Sequence, residues 1–345
     1  MCSVLLIAFS VPTQPHDVKA VVRLTWQVYT PDMTLNLPTP TRPFKIGTRG
    51  SPLALAQAIE TRGRLMIAFD LPDAAFEICV IKVTGDIIQD RALKDIGGKG
   101  LFTREIEDAL LDGSIDIAVH SMKDMPVLQP GGLLLDTYLP REDVRDAFIS
   151  ATCTGIAELA KGATVGTSSL RRRAQLLARR PDLNIVEFRG NVQTRLKKLS
   201  DGVAEATFLA MAGLNRLGMD DVPMYAICPE DMLPAVAQGA IGIERRSDDT
   251  RAADMLTAIH HSTTGQRLAA ERAFLEALDG SCETPIGALA ELDGGSLRLR
   301  GEILRTDGSE VLNDDASASI EDGAALGREM AAKLLERAGP GFLHH

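Results

Sequence analysis

Ten lysines and arginines crowd into residues 161–198 against two acids, Asp182 and Glu187. That stretch carries +8 in a chain whose formal charge is −10, so the remainder is strongly acidic. Such concentration is the mark of a bound anion. Arg171 and Arg172 follow Gly166-Thr167-Ser168-Ser169 at a helix start for which Ser169 is the N-cap. Free N–H groups, the positive helix end and planar guanidinium forks would converge there on carboxylate or phosphate. Arginine grips carboxylates in a bidentate way that lysine cannot. Arg173, Arg179 and Arg180 read as a solvated helix face. Arg49 holds the matching place in an earlier segment, beside Ser51 as N-cap and Pro52 at the first helical position. Arg189, Arg195 and Arg216 each follow a candidate strand. Ligands of open α/β sheets bind beyond strand carboxyl ends, which places these arginines in one cleft.

Asp124 ends Ile115–Asp124, a strand running into polar residues beside Lys123. It is either a turn residue two places before Pro126 or a carboxylate inside the cationic cleft, where it could accept N–H bonds and stabilise a positive intermediate. Cys282 lies in Asp279–Pro285, a turn between helix and strand, the one cysteine placed for covalent chemistry. Cys79 and Cys228 read as core residues. Gly97–Thr103 reads as a flexible loop or lid carrying Lys99, and its glycine spacing is not that of a P-loop. His260 and His261 read as surface residues at a helix end. No metal-ligand set presents itself.

Alternating strands and helices must position these groups. Lys45–Thr48 reads as a strand opening a helix through Leu65; strands are expected at Phe76–Val83, Ile115–His120 and Asn184–Phe188, and a helix at Glu105–Leu111. Thr164–Gly166 opens a second strand–helix unit on the same Gly-Thr and Ser pattern, with Ala56-Gln57 answered by Ala174-Gln175. Two such units imply parallel pairing in two doubly wound α/β domains whose helix N-termini face a shared cleft. Residues 262–345 read as helix (264–278), two strands (286–292 and 297–304) and a final helix (324–337), a small α+β unit. Residues 1–42, rich in Pro and Thr, read as an extension that is disordered or non-native, with Met33 the suspected true start.

The 345 residues are 45% apolar and 24% charged, the balance of a folded globular chain of two or three domains. Only 14 are aromatic (10 Phe, 3 Tyr and 1 Trp), too few for base-stacking platforms. The overall acidity speaks against a nucleic-acid regulator using Arg171–Arg180 as a recognition helix. No apolar run has the length of a membrane span. Five scattered cysteines suit a reducing compartment, and the lack of a secretion signal disfavours a non-enzymatic periplasmic-type anion-binding protein.

Seven ordered segments (Ile46–Gln57, Gly97–Phe102, Asp116–Pro126, Val165–Arg172, Arg189–Leu196, Leu233–Glu244 and Gly280–Gly287) resemble the porphobilinogen deaminases, or hydroxymethylbilane synthases. The resemblance implies a transferase of tetrapyrrole (haem and porphyrin) biosynthesis, joining four porphobilinogen molecules head to tail with release of ammonia. It implies a covalent dipyrromethane cofactor in thioether linkage to Cys282. It also implies two periplasmic-binding-protein-like doubly wound domains plus a small C-terminal domain, in a cytoplasmic monomer without nucleic-acid or membrane partners. The domain limits it suggests are 43–140 with 238–258, then 141–237, then 259–345. By the same resemblance Asp124 is catalytic. Lys123, Thr167, Ser169, Arg171 and Arg172 hold the cofactor; Arg49, Ser51, Gln57, Lys99, Arg189, Arg195 and Arg216 hold substrate. The chain departs from some members at Asp95, where they carry a lysine and this sequence has Lys94 one step away, and at Val144, where proline is common.

Overall fold

Strand and helix alternate from Phe44 onward in the computed structural model, which describes residues 36–84, 103–281 and 284–343. Lys94, Asp95, the Gly97–Phe102 loop with Lys99, Cys282 and most of the N-terminal extension lie outside the described residues. Residues 36–42, assigned above to that extension, pack on the first lobe: Leu37 lies against its core and the Asn36 carbonyl accepts from Arg251 at 2.7 Å.

Strand β1 (Phe44–Arg49) is almost wholly buried and runs straight into helix α1 (Pro52–Phe69). Ser51 caps α1 by accepting from the Ala54 N–H, Pro52 needs no partner for its missing N–H, and Asp70 ends the helix in the left-handed conformation. Then come β2 (Phe76–Ile81), helix α2 (Arg104–Leu111), β3 (Ile117–Ser121), a one-turn 3-10 helix (Met122–Asp124) and β4 (Leu133–Tyr138). The chain crosses to a second lobe built from β5 (Asp146–Ser150), β6 (Thr164–Gly166), α3 (Leu170–Arg179), β7 (Asn184–Val186), α4 (Val192–Ser200), β8 (Ala206–Ala210), α5 (Met211–Arg216) and β9 (Met224–Ala226). It returns through β10 (Ile241–Arg246) and α6 (Thr250–Thr257).

The two sheets have matching orders, β2-β1-β3-β10-β4 and β7-β6-β8-β5-β9. In each, three parallel strands meet one antiparallel strand, β10 in the first and β5 in the second, so the sheets are mixed rather than purely parallel. Helices cover both faces. Ala58 and Leu65 of α1 pack with Ile46, Val119 and Ile243, whereas Ile106 and Leu110 of α2 pack with Ala118 and Leu133 on the opposite face. Leu176 of α3 and Leu196 of α4 divide the second sheet in the same way. These are two doubly wound α/β lobes. The repeated Gly-Thr is explained by close approach: a Cβ at Gly166 would collide with the Phe188 ring.

The lobes are joined by two adjacent crossings. The Glu142 N–H donates to the Gly239 carbonyl at 3.1 Å, and Gly239 has φ +86 with no room for a Cβ beside the Glu142 carbonyl. A third unit follows: α7 (Ser262–Ala277), an antiparallel sheet of β11 (Ile286–Asp293), β12 (Ser296–Leu304) and β13 (Val311–Ser319), then α8 (Gly323–Ala338). Strand β13 is an addition to the two expected strands. Its sequence, Val-Leu-Asn-Asp-Asp-Ala-Ser-Ala-Ser, hides one weakly apolar face among acids and serines. Phe274, Leu299, Met330 and Leu334 make a core that continues into Met122, Met125 and Val236, so the third unit is seated on the first lobe and the crossings.

Candidate functional site

In doubly wound sheets the crevice opens where consecutive helices leave for opposite faces, at the carboxyl ends of the strands. In the first lobe that point lies between β1 and β3. Arg49, Ser51, Gln57 and Asp124 line one recess there, together with His120 and Ser121. Gln57 is buried and its amide donates to the Ser121 hydroxyl at 2.8 Å, fixing the wall of the recess. Asp124 sits on the one-turn helix after β3, a step past the strand end on which it was expected, and its carboxylate is exposed.

Lys123, half-buried next to it, reaches Gln238 Oε1 at 3.5 Å. Burial pushes its ammonium down to about 8; Arg172 and Arg195 press the same way, while Asp124 and Asp146 pull back. Arg195 donates to the Gly190 carbonyl at 2.9 Å and is lowered to about 10, again chiefly by burial and then by Arg172. Lys123 and Arg195 thus face Asp124 electrostatically, with Arg172 acting on both of them.

Arg171 and Arg172 are anchored more firmly than an anion fork alone requires. Both are 4% exposed, and Asp146 at the head of β5 is wholly buried between them. Its carboxylate pairs with Arg171 at 2.8 Å and with Arg172 at 2.7 Å, and the two guanidiniums draw it well below the usual carboxylate range against the opposing cost of burial. Arg171 also donates to Gln175 and the Leu233 carbonyl, and Arg172 to the Phe208 carbonyl. Ser169 caps α3, and Thr167 accepts from the Ser169 N–H. Arg216 points elsewhere: it pairs with Glu60 of α1 at 3.4 Å and donates to the Gly239 carbonyl, bracing the two lobes. Arg189 is half-buried at the end of the loop before α4, where its carbonyl accepts from Lys198. Arg180 corrects the solvated-face expectation. It pairs with Asp182 and donates to the Ile156 and Leu159 carbonyls, whereas Arg173 and Arg179 are exposed as expected.

Asp146, Gln238, His120 and Glu244 were not singled out in advance. An acid heading the wholly apolar run Ala147–Ile149 had to find a cation, and that was the available signal for Asp146. The donor set suits an acid-bearing pyrrole cofactor. Lys123 keeps donors beyond its one long contact, Arg171 Nε is buried without a hydrogen-bond partner, and Asp124 offers acceptors to ring N–H groups. Among the described residues no group of three His, Cys, Asp or Glu could hold a metal ion, and no helix is long and apolar enough to cross a membrane.

Two open-faced α/β lobes with a carboxylate between cations define a cleft for a polycarboxylate ligand. Comparison with known proteins gives it a family. The model described as "Porphobilinogen deaminase, dipyromethane cofactor binding domain" matches residues 44–254, and "Porphobilinogen deaminase, C-terminal domain" matches residues 266–336. The chain belongs to the porphobilinogen deaminase family. It is 66% identical over 306 residues to the porphobilinogen deaminase of Paracoccus denitrificans, covering 89% of this chain and 98% of that one. To the chloroplastic porphobilinogen deaminase of Pisum sativum it is 52% identical, covering 87% and 83%. To that of Nitrobacter winogradskyi it is also 52% identical, covering 86% and 94%. An ABC-transporter periplasmic substrate-binding protein from Coxiella burnetii is similar at a TM-score of 0.37 and 15% identity, over 64% of this chain and 93% of its own, too distant to add to the topology above.

Proposed function

We infer that this chain is a hydroxymethylbilane synthase, a transferase that joins four porphobilinogen molecules head to tail with loss of ammonia. The observation that carries the residue assignment is the exposed Asp124 carboxylate, in the recess of Arg49 and Ser51 and within range of Lys123 and Arg195. The dipyrromethane, in thioether linkage to Cys282, supplies the pyrrole on which the chain is built.

Arg49, Ser51, Gln57, Arg189, Arg195 and Lys99 bind the carboxylates of substrate; Arg216 serves that end by holding the lobes at Glu60 and Gly239. Lys123 and the α3 terminus with Thr167, Ser169, Arg171 and Arg172 hold the cofactor's acid groups. Asp124 accepts hydrogen bonds from pyrrole N–H and stabilises the cation formed when the porphobilinogen C–N bond breaks and its electron pair leaves with nitrogen. A carboxylate already fixed in place acts on the developing charge with little reorganisation. The domain limits are 43–140 with 238–258, 141–237, and 259–345. The protein works as a cytoplasmic monomer without nucleic-acid or membrane partners.

Intact-protein mass spectrometry tests this. An adduct of two pyrrole units should map to the Cys282 peptide and vanish in Cys282→Ser. Asp124→Asn should keep the adduct yet lose ~10²–10⁴-fold in turnover. Unmodified wild-type protein that still turns over porphobilinogen, or an Asp124→Asn variant at full rate, would overturn it.

A further inference from the structure

The third unit touches the second lobe as well as the first, and it does so on the helix that carries Arg171 and Arg172. Glu302 of β12 accepts a hydrogen bond from the side-chain amide of Gln175 on α3. Gln175 is wholly buried, and its amide nitrogen also donates to the Leu233 carbonyl at 2.8 Å. Its oxygen accepts from Arg171 at 2.8 Å. Arg171 shares the Leu233 carbonyl at 2.9 Å and turns its other terminal nitrogen to Asp146 at 2.8 Å. A line of contacts therefore runs from β12 through one amide to Arg171. Nearer the end of α3 the third unit touches again. The hairpin between β12 and β13 brings Gly308, at φ +74, so close that a Cβ would collide with the α3 backbone at Leu177 and Ala178.

The same strand holds the turn that carries Cys282. The Leu304 N–H, two residues beyond Glu302, donates to the Pro285 carbonyl at 3.0 Å, and the Thr284 N–H donates to the Ser281 carbonyl at 3.1 Å. Glu302 itself is paired in the ladder with Gly287 of β11, where a Cβ would stand 3.0 Å from its Oε1. Strand β12 thus grips the Cys282 turn through Leu304 and α3 through Glu302.

An apolar side chain would fill the place of Glu302 at less cost, because burial pushes the carboxyl up against the pull of Gln175, Arg171 and Arg179. What the carboxyl adds is direction. An acceptor on this side of Gln175 holds the amide with its nitrogen toward β12 and its oxygen toward the Arg171 guanidinium, which has only donors to offer. We propose that Glu302 is a positioning residue for the cofactor: through Gln175 it fixes Arg171 relative to the strand that holds the Cys282 turn. The sulfur tether and the cationic grip on the acid groups then stand in register before the cofactor is attached. The proposal rests on the roles of Cys282 and Arg171 given above.

Unloaded full-length protein, made in a host that supplies no porphobilinogen, tests this when mixed with porphobilinogen and followed by intact-protein mass. Glu302→Leu should gain the two-pyrrole adduct ~10–100-fold more slowly than wild type, as expected when a binding group is misplaced by about an ångström. Glu302→Gln still offers Gln175 an oxygen and should recover most of the rate. Gln175→Leu should slow loading as Glu302→Leu does, and the double variant no further, because both break one line of contacts. Leu312→Ala, which trims the packing on the third unit's core away from α3, should lower the unfolding midpoint and yet load at the wild-type rate. Glu302→Leu loading as fast as wild type, Glu302→Gln loading as slowly as Glu302→Leu, an additive double variant, or equal slowing in Leu312→Ala would overturn the proposal alone. Wild-type protein that gains no adduct would overturn the Cys282 reading and the proposal with it.

Discussion

Gln238 donates to Asp146 across the two chain crossings, Nε2 to Oδ1, at 2.9 Å. The same amide group donates to the Val144 carbonyl, and its oxygen receives Lys123. One side chain therefore connects the Lys123–Asp124 turn of the first lobe to the carboxylate that holds Arg171 and Arg172 in the second. Anions that reach either group of cations act on a shared network.

Asp146→Asn should leave two buried guanidiniums uncompensated. Removing one partner of a buried pair costs about 3–5 kcal/mol. The pH dependence has a definite sign. The Asp146 carboxyl is held below its unfolded value by Arg171 and Arg172, so its stabilisation is full above the ordinary carboxylate range of about 4 and is lost as pH falls below it. Urea unfolding at pH 7 and pH 3 should show a gap between wild type and Asp146→Asn that narrows in acid.

Lys123 should give the cleft an alkaline limit. Its ammonium, lowered to about 8 by burial, is lost as pH rises through that value, and with it the attraction for carboxylates. Binding of porphobilinogen to Cys282→Ser protein, measured by calorimetry, should weaken severalfold between pH 7 and 9. Lys123→Arg should abolish that weakening, because guanidinium stays charged. The stability effect runs the other way: the unfolded chain binds the proton more tightly, so the cost of burying charged Lys123 fades between pH 8 and the unfolded value of about 10.4.

Glu271→Ala should loosen the third unit. Glu271 is fully buried on α7, accepts from both terminal guanidinium nitrogens of Arg141 at 2.6 and 3.0 Å, and accepts from the Ala237 and Ala290 N–H groups. Truncation strands a buried cation and two backbone donors, at a cost of about 3–5 kcal/mol. Glu271→Gln keeps part of the hydrogen bonding and should cost less. Denaturant titration of both variants checks the order.

The doubly wound lobes were legible because their signals are local. Ser51 and Ser169 cap their helices, Pro52 starts one, and Gly166 admits the ring of Phe188. Arg49 and Ser51 could be placed at the end of the first strand from the sequence, whereas Gln57 was placed by the family resemblance alone and Asp124 was left between a turn residue and a cleft carboxylate. What escaped was non-local. The apolar run after Asp146 signals that it needs a cation, but not that the cations lie some 25 positions on, and nothing local pairs His120 with Glu244 at a separation of 124. The β13 strand escaped for another reason: its half-buried positions are Leu312, Asp314, Ala316 and Ala318, too small and too polar to register as an apolar stripe.

The placing of β10 between β3 and β4 bears on how the molecule is made. Every strand of the second sheet lies within residues 146–226, whereas the first sheet needs Arg246. As the nascent chain leaves the ribosome, the later-encoded lobe has all its strands first. Its elder neighbour waits, with β3 and β4 unbridged, until translation has passed beyond both.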